Sequence, residues 1–268
     1  MRIAIIGTGN MGGAIARGIL RGGMLEASDI TCTTRTGKVP NQLRKALGNE
    51  CVFTTDNREA VREAEIILLC VKPWRVKEVI EDIRPVLDFG RHTIVSVAAG
   101  VSTDQLTEWL VGDGEYAGEA LPAVLRMVLN TAVGVGNSMT FICSVNASHD
   151  RMEFIADLFG GMGHVMELEE GLMPAATALS SCGLAYAMRY IRAAIEGGIE
   201  LGFSSRQAQN IVLQTVKGAA DLLLENNSHP EREIDRVTTP GGITIRGLNE
   251  MEHAGFTSAV IRGLKASI

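Results

Sequence analysis

A glycine-rich segment near the start of the chain constrains the fold most strongly. Gly7-Thr-Gly-Asn-Met-Gly12 follows a predicted strand at residues 2–6, apolar from Ile3 to Ile6, and precedes a helical pattern at residues 11–21. Glycines at this spacing, between a strand and a helix, are typical of a dinucleotide-binding βαβ unit. The first permits a tight turn, the second lets the backbone approach a pyrophosphate, and the third lets helix and strand pack closely. The alternative is a glycine-rich turn without a ligand.

Short apolar runs alternate with helical patterns through the first part of the chain. After the opening run, strand-like segments lie at residues 30–34, 65–71, 93–97, 124–128, 139–143 and 164–168. This alternation predicts a parallel sheet with right-handed helical crossovers. Helix N-caps are expected at Asp56 and at Ser102, where Gln105 completes a capping box.

No strand pattern follows residue 168, and the rest of the chain is helical in pattern. We therefore predict a Rossmann-type α/β dinucleotide-binding domain at residues 1–168 and an all-α domain at residues 169–268. A long helical stretch at residues 174–201 is apolar on nearly every side, and such a helix needs partners. We expect a homo-oligomer; a helix that is simply central to its own bundle is the alternative.

Composition argues against several classes of protein. The net charge is −6, which favours neither nucleic acid nor an anionic membrane as a partner. Five cysteines without a Cys-x-x-Cys pair suggest reduced thiols, and five scattered histidines predict no metal site. The opening apolar run is too short for a secretory signal, and no run is long enough to span a membrane. The expected location is cytoplasmic.

The end of the second predicted strand bears on the identity of the dinucleotide. NAD sites usually place Asp or Glu there, to bind the ribose 2′-hydroxyl. This chain instead has Cys32-Thr-Thr-Arg35-Thr36. Hydroxyls beside a guanidinium suit a 2′-phosphate, so NADPH is the expected cofactor and NADH the alternative. Arg35 could otherwise be a solvated surface residue.

Two later strands end in segments suited to ligand binding. Cys70-Val-Lys-Pro73 and Ser96-Val-Ala-Ala-Gly100 both follow apolar runs. The carboxyl ends of parallel strands form the edge where ligands bind in open α/β sheets. The small residues of the second segment leave room for a flat nicotinamide ring, whereas Lys72 could also be a solvated loop lysine.

A threonine-rich turn near the end of the chain is the most distinctive segment. Pro240-Gly-Gly forms a sharp turn within Val237–Ile245, and three threonines surround it. A helix begins just after it, so unpaired backbone N–H groups face outward. These groups predict a seat for a small carboxylate, with hydroxyls for a neighbouring polar atom. The alternative is an ordinary turn between helices.

Taken together, these segments resemble the pyrroline-5-carboxylate reductase family nearly from end to end. Further matching segments are Asn57, Arg126 with Asn130-Thr131, Thr177-Ala-Leu-Ser180 and Ala185-Tyr186. The resemblance implies a Rossmann domain followed by a helical dimerisation domain, often assembled further as five dimers. It also implies hydride transfer from NAD(P)H to the C=N bond of 1-pyrroline-5-carboxylate, which gives proline.

The resemblance and the motifs together assign roles to individual residues. The expected cofactor-binding residues are Gly7, Gly9, Asn10, Met11, Gly12, Arg35, Asn57, Val71, Lys72, Pro73, Ala98, Ala99, Gly100 and Asn130. The expected substrate-binding residues are Lys72, Val237, Thr239, Gly241, Gly242, Ile243 and Thr244. Thr244 is the expected catalytic residue and would hydrogen-bond the ring nitrogen, with solvent as the final proton source. The cofactor site and the turn are expected to meet across the domain boundary.

The chain departs from the family pattern in several places. The family usually has proline at the positions of Leu129 and Ala132. Where it has Ser-Gly-Ser-Gly-Pro-Ala-Tyr, this chain has Ser180-Ser-Cys-Gly-Leu-Ala-Tyr186, so Ser181 replaces a glycine and Leu184 a proline. A family Asp falls at Pro174, and a family Glu at Arg192. These departures affect the loop near the cofactor ribose and the helix between the domains.

Three other functions compete with this interpretation. A β-hydroxyacid dehydrogenase usually needs a lysine on the interdomain helix, but no lysine occurs between Lys77 and Lys217. A reductase of another cyclic imine is not excluded, because one methylene shifts selectivity by only about 1–3 kcal/mol. A non-catalytic NADPH-binding regulator is the alternative from another class of protein.

Overall fold

The computed structural model describes residues 1–112 and 122–268. These residues form two compact units: unit 1 comprises Met1–Ser181 and unit 2 comprises Cys182–Ile268.

Unit 1 is built on one eight-stranded sheet, in the order β3-β2-β1-β4-β5-β6-β7-β8. The strands are β1 (Ile3–Ile6), β2 (Ile30–Thr33), β3 (Val52–Thr54), β4 (Ile66–Leu69), β5 (Thr93–Ser96), β6 (Ala123–Val128), β7 (Ser138–Val145) and β8 (Gly163–Glu167). The first six strands pair in parallel, as the alternating pattern predicts. Their carboxyl ends therefore share one edge of the sheet.

The end of the sheet departs from the predicted all-parallel arrangement. β7 pairs antiparallel with β6, and β8 pairs parallel with β7. Only residues 129–137 join β6 to β7, and their single regular element is a 3₁₀ turn at Thr131–Val135. A parallel crossover needs a dozen or more residues, so this short connection forces the chain to reverse.

Seven α-helices accompany the sheet in the described part of unit 1. They are α1 (Asn10–Gly22), α2 (Asn41–Leu47), α3 (Asn57–Arg62), α4 (Val76–Ile83), α5 (Thr103–Val111), α6 (His149–Gly160) and α7 (Met173–Ala176). Two predicted caps are confirmed. The Asp56 carboxylate accepts the first free N–H groups of α3, and Ser102 forms a capping box with Gln105 at the start of α5.

Apolar side chains cover both faces of the sheet. Ile3 and Ile5 of β1 belong to the buried cluster on one face, and Ile6 belongs to the cluster on the other. β4 is buried along its whole length. Strands buried on both faces must be apolar at every position, which explains the unbroken apolar runs in the sequence.

Unit 1 extends beyond the predicted boundary at residue 168. Met173 and Ala176 of α7 pack against Val128 and Phe141 of the sheet. The segment after β8 therefore belongs with the sheet, and the compact unit ends at Ser181 instead. Sequence pattern marks where strands stop, but not which unit the next helical turn packs against.

Unit 2 is entirely helical in the structure, as predicted. Its helices are α8 (Gly183–Glu200), α9 (Ser205–Asn226), α10 (Pro230–Val237), α11 (Ile243–His253) and α12 (Phe256–Lys265). A π-helical turn at Thr177–Cys182 precedes α8, so the predicted helix at 174–201 is interrupted. α8 and α9 approach closely at Gly198, where an added Cβ would lie 3.1 Å from the Cβ of Ala208.

Candidate functional site

A groove of about 830 Å³ runs along the carboxyl edge of the sheet in unit 1. Residues that follow β1, β2, β4, β5 and β6 line it. The strand order places Arg35, which follows β2, towards one end of the groove and Thr131, which follows β6, towards the other. This is the edge at which open α/β sheets bind dinucleotides.

The glycine loop has a geometry that side chains would prevent. Gly7 has a φ of +94°, and a Cβ there would lie 2.8 Å from Cγ1 of Val71. A Cβ on Gly12 would lie only 2.3 Å from the carbonyl oxygen of Gly7. The hydroxyl of Thr33 accepts the Gly7 N–H at 3.2 Å, which ties the loop to β2. The first and third glycines therefore serve the turn and the close packing that the motif predicts.

The amino end of α1 is open to a ligand. Gly9 is its N-cap, with no side-chain capping bond, and its first turn contains no acidic residue. A Cβ on Gly9 would meet no atom within 4 Å, so the space in front of the helix is clear. Unpaired N–H groups and the helix dipole make such an end suitable for phosphate. The residues present therefore fit the pyrophosphate of a dinucleotide.

The charge of the groove favours a phosphorylated ligand. Four cations, Arg35, Lys38, Lys72 and Arg75, are among the described residues that line it, and none of those residues is acidic. Arg75 is paired with Glu78 at 2.7 Å. The position where an NAD site would place Asp or Glu is thus occupied by hydroxyls and cations, which suits a 2′-phosphate.

Most of the predicted cofactor residues do line this groove. They are Gly7, Gly9, Asn10, Met11, Arg35, Asn57, Val71, Lys72, Pro73, Ala98 and Ala99. Gly12 lies under the glycine loop, where it permits close packing. Gly100 and Asn130 are not among the described lining residues, and the side chain of Asn130 is engaged elsewhere.

Several lining residues were not predicted from the sequence. They are Ile6, Thr8, Thr33, Thr34, Thr36, Lys38, Pro40, Thr55, Cys70, Arg75, Val79, Val97 and Thr131. The hydroxyls after β2 were expected to suit a 2′-phosphate, but of that run only Arg35 was named as a cofactor-binding residue. Thr55 follows the edge strand β3, whose three residues are too few to predict a strand from the sequence. Thr131 is brought to the groove by the reversal after β6.

The threonine-rich turn in unit 2 is a compact cap for α11. The Gly242 N–H donates to the carbonyl of Thr239 at 2.9 Å, and Gly241 has a φ of +71°. A Cβ on Gly242 would lie 2.5 Å from Oγ1 of Thr239, so this position favours glycine. The Thr238 hydroxyl donates back to the carbonyl of Asp235 at 3.2 Å. The turn thus presents the first residues of α11 outward.

The predicted substrate residues gather at this turn, with one exception. Gly242 caps α11 without a side-chain bond, so the N–H groups of the first turn have no side-chain acceptor there. Ile243 is 80% exposed, and Thr244 beside it is exposed as well. Lys72 belongs to unit 1 and lines the cofactor groove. A helix end of this kind can bind a small carboxylate.

An ion pair between a buried arginine and a partly exposed glutamate stands apart from the groove in unit 1. Arg126, on β6, is 7% exposed and donates to Glu170 at 2.8 Å. The backbone N–H and the hydroxyl of Thr103 also donate to Glu170. Burial alone would raise the pKa of Glu170, but these hydrogen bonds and the guanidinium outweigh it and hold the pKa below its ordinary value. The pair ties the segment after β8 to the sheet.

The cysteines offer no activated nucleophile at the groove. Burial raises the pKa of the Cys70 thiol to about 12, so it is protonated at neutral pH. Within residues 1–112 and 122–268, there is no cluster of three or more His, Cys, Asp or Glu side chains that could hold a metal ion. Over the same ranges, no helix has both the length and the apolar character needed to cross a bilayer.

Two family models match parts of the chain. Residues 170–268 match the model described as pyrroline-5-carboxylate reductase dimerisation. Residues 2–100 match the model described as NADP oxidoreductase, coenzyme F420-dependent. The two matches correspond to the helical part of the chain and to the glycine-loop half of the sheet.

Curated relatives match over the full length of this chain. Pyrroline-5-carboxylate reductase 2 of Dictyostelium discoideum is 37% identical over 278 residues, which cover 99% of this chain and 90% of the relative. Pyrroline-5-carboxylate reductase 1 of the same organism is 38% identical, and this chain spans about half of its length, 48%. Pyrroline-5-carboxylate reductase 2 of Homo sapiens is 33% identical, covering 100% of this chain and 82% of the relative.

Solved structures of similar proteins agree with this assignment. A Plasmodium falciparum pyrroline carboxylate reductase with NADP bound superimposes with a TM-score of 0.87 at 26% identity, covering 100% of this chain and 95% of that one. A pyrroline-5-carboxylate reductase from Coxiella burnetii gives a TM-score of 0.83 at 26% identity, with coverage of 99% and 95%. From the glycine loop to the threonine-rich turn, the chain therefore belongs to the pyrroline-5-carboxylate reductase family.

Proposed function

We propose that this protein reduces the C=N bond of 1-pyrroline-5-carboxylate with NADPH and so forms proline. The observation that carries the proposal is the groove of unit 1, which has an open helix end, four cations and no acidic residue among its described lining residues. Membership of the family supplies the substrate class. The groove and the family membership are both consistent with an NAD(P)H-dependent oxidoreductase that acts on an imine.

Unit 1 holds the cofactor in this proposal. When bound, NADPH supplies the hydride. The first N–H groups of α1 bind the pyrophosphate, and Arg35 binds the 2′-phosphate through a charge-assisted hydrogen bond. Ala98 and Ala99 are small enough to admit a flat ring against the sheet edge. NADH would lack the phosphate that Arg35 recognises, so it is the second candidate cofactor.

Unit 2 holds the substrate in this proposal. The N–H groups around Gly241–Thr244 bind the carboxylate, and the Thr244 hydroxyl hydrogen-bonds the ring nitrogen. A protonated imine is already electrophilic at carbon, so the chain needs to position the ring more than to activate it. Solvent supplies the final proton. Lys72, which lines the groove of unit 1, stays a predicted substrate contact.

The protein forms a homo-oligomer, and its helical part matches a dimerisation model. Exposed apolar side chains on α8 support this, because Met188 is 57% and Tyr190 44% exposed. We propose a dimer formed through unit 2 and a further assembly of five dimers. Light scattering coupled to gel filtration tests both sizes. The expected cytoplasmic location stays a prediction that cell fractionation would test.

The direct test is NADPH oxidation in the presence of 1-pyrroline-5-carboxylate. Parallel reactions should use NADH, a six-membered cyclic imine carboxylate, and no imine. We expect turnover that depends on the five-membered imine and is faster with NADPH. Faster turnover of the six-membered ring would reassign the substrate, and the absence of turnover on both imines would overturn the reductase assignment. NADPH binding without turnover would instead support a non-catalytic regulator.

A further inference from the structure

The turn after β6 forms one wall of the cofactor groove. Thr131, its first residue, lines the groove, whereas its neighbour Asn130 does not line it in the described structure. We propose that Asn130 and Ser181 are positioning residues that hold Thr131 against the bound cofactor. The inference rests on the proposed function, because it requires that the groove bind NAD(P)H.

Asn130 is fully engaged in holding the turn. It is 8% exposed. Its Oδ1 accepts the Ala132 N–H at 3.0 Å, which caps the turn, and its Nδ2 donates to the carbonyl of Ser180 at 3.3 Å. With both ends of the amide in use, the side chain serves the shape of the turn rather than a ligand in the groove.

Ser181 makes a second link between the same two segments. Its hydroxyl donates to the carbonyl of Leu129 at 3.0 Å. Leu129 and Asn130 directly precede Thr131, and Ser180 and Ser181 are adjacent in the π-helical turn before α8. We call these two hydrogen bonds, Asn130 to Ser180 and Ser181 to Leu129, the β6 latch. They anchor the peptide immediately before the groove wall.

The opposite side of the turn is held by α1. Val133 is completely buried, and an added Cβ on Gly18 of α1 would lie 2.7 Å from its carbonyl oxygen. The turn is therefore packed tightly on the helix that begins at the glycine loop. Held by α1 on one side and by the β6 latch on the other, Thr131 has a defined position relative to the pyrophosphate-binding end of that helix.

Two residues at which this chain departs from the family pattern, Ala132 and Ser181, take part in the hydrogen bonds that hold the turn. Proline at position 132 would have no N–H to donate to Asn130. Glycine at position 181 would have no hydroxyl to donate to Leu129. The Ser181 bond of the latch therefore depends on a departure from the family pattern, and hydrogen bonds hold here a turn that prolines at positions 129 and 132 would restrict through φ.

The test compares NADPH affinity among variants that differ only at the latch and the groove wall. Thr131→Ala should weaken NADPH binding about three- to tenfold, the range of one lost hydrogen bond. Ser181→Ala should weaken it by a similar factor although it lies outside the groove. In the double variant the factor should be smaller than the product of the two, because Ser181 acts through Thr131. Cofactor fluorescence titration measures all four affinities.

Matched controls separate positioning from stability. Ser180→Ala removes only a hydroxyl bonded within its own helix and leaves the carbonyl that Asn130 uses. Ser181→Thr keeps the hydroxyl. Both should bind NADPH like the wild type, whatever their thermal midpoints. If Ser181→Ala fails to fold, Asn130→Asp replaces it, since it keeps the capping oxygen and loses the donor to Ser180.

The outcomes separate the positioning role of Ser181 from the proposed function on which it rests. If Ser181→Ala lowers the thermal midpoint but binds NADPH as tightly as Ser180→Ala, the positioning role is wrong. If its effect multiplies independently with that of Thr131→Ala, the route through Thr131 is wrong. If the wild type itself fails to bind NADPH or NADH, the proposed function falls, and this inference falls with it.

Discussion

The two units of this protein bury their apolar side chains to very different degrees. In unit 1, both faces of the sheet are covered, and large side chains such as Ile5, Ile67 and Phe159 are fully buried. In the described part of unit 2, only Ala208 is buried. Its apolar residues instead face outward, including Leu201 at 83% and Leu224 at 80% exposure. Unit 1 buries its own hydrophobic residues, whereas unit 2 leaves most of its apolar residues exposed, as the proposed dimer through unit 2 would require.

The cofactor groove and the threonine-rich turn differ in the same way, in how far their surroundings are packed. The backbone at the cofactor groove is closely packed, and Gly7 and Gly12 leave no room there for a side chain. The threonine-rich turn caps a helix whose surroundings are exposed, with Ile243 and Thr244 facing outward. Every described residue that lines the cofactor groove belongs to unit 1, whereas the ligand site proposed at the turn rests on one exposed helix end.

The largest expected effect comes from breaking the ion pair of unit 1. Glu170→Ala would leave Arg126 buried and unpaired, which should lower the free energy of unfolding by about 3 kcal/mol, the low end for a buried pair because Glu170 is partly exposed. Urea denaturation followed by tryptophan fluorescence measures this, since Trp74 and Trp109 both lie in unit 1.

The matched variant lies in unit 2. Glu196→Ala breaks the exposed pair with Arg192 on α8, which should cost about 0.5 kcal/mol or less. Equal losses for the two variants would contradict the contrast between a self-contained unit and an open one.

The next largest effect concerns cofactor choice in unit 1. Arg35→Ala should weaken NADPH binding about ten- to a hundredfold, the range of a charge-assisted hydrogen bond, because the 2′-phosphate loses its guanidinium. NADH binding should change little. Titration of each cofactor measures both. A similar loss for the two cofactors would show that Arg35 does not read the 2′-phosphate.

A smaller effect is expected from the substrate turn in unit 2. Thr244→Ala should lower kcat/KM for the imine about tenfold or more, through the loss of one hydrogen bond to the ring nitrogen. Thr257→Ala, an exposed threonine on α12, is the control. Steady-state kinetics with varied imine and saturating NADPH give both values. If the two variants match the wild type, Thr244 has no part in the mechanism.

The smallest effect is a pH dependence in unit 1. His92 is buried, and its Nδ1 accepts the Asp88 N–H at 2.8 Å. Burial, assisted by the nearby charge of Arg91, lowers the pKa of His92 below its ordinary value of 6.5. The unfolded chain therefore takes up a proton first as the pH falls through about 6.5, and the free energy of unfolding decreases below that pH.

Replacement of this histidine sharpens the prediction. His92→Gln cannot titrate, so the difference in urea midpoint between about pH 7.5 and about pH 5.5 should be smaller in the variant than in the wild type. Tryptophan fluorescence again reports on unit 1. An unchanged pH dependence would mean that another group carries it.

Local patterns in the sequence predicted those features that depend on neighbours along the chain. The glycine loop, the buried strands β1 and β4, and the caps at Asp56 and Ser102 each have a short-range physical cause. Unbroken apolar runs predicted strands that are buried on both faces, and these strands form the core of unit 1.

Features that depend on tertiary packing were missed or differ from what the pattern predicts. The edge strand β3 is three residues long, which is shorter than the runs from which a strand can be predicted. The antiparallel pairing of β7 depends on the short connection that reverses the chain after β6. The end of unit 1 depends on where Met173 packs. Thr131 lines the groove and Asn130 does not, which the sequence pattern did not indicate, because hydrogen bonds across fifty residues are not visible in a pattern.

One titration can test the proposal that unit 1 binds the cofactor and unit 2 binds the substrate. NADPH should be titrated into the wild type, Arg35→Ala and Thr244→Ala, with cofactor fluorescence as the signal. The predicted result is wild-type affinity for Thr244→Ala and a loss of about tenfold or more for Arg35→Ala. Weakened NADPH binding in Thr244→Ala together with normal binding in Arg35→Ala would contradict the assignment of the cofactor to unit 1 and the substrate to unit 2.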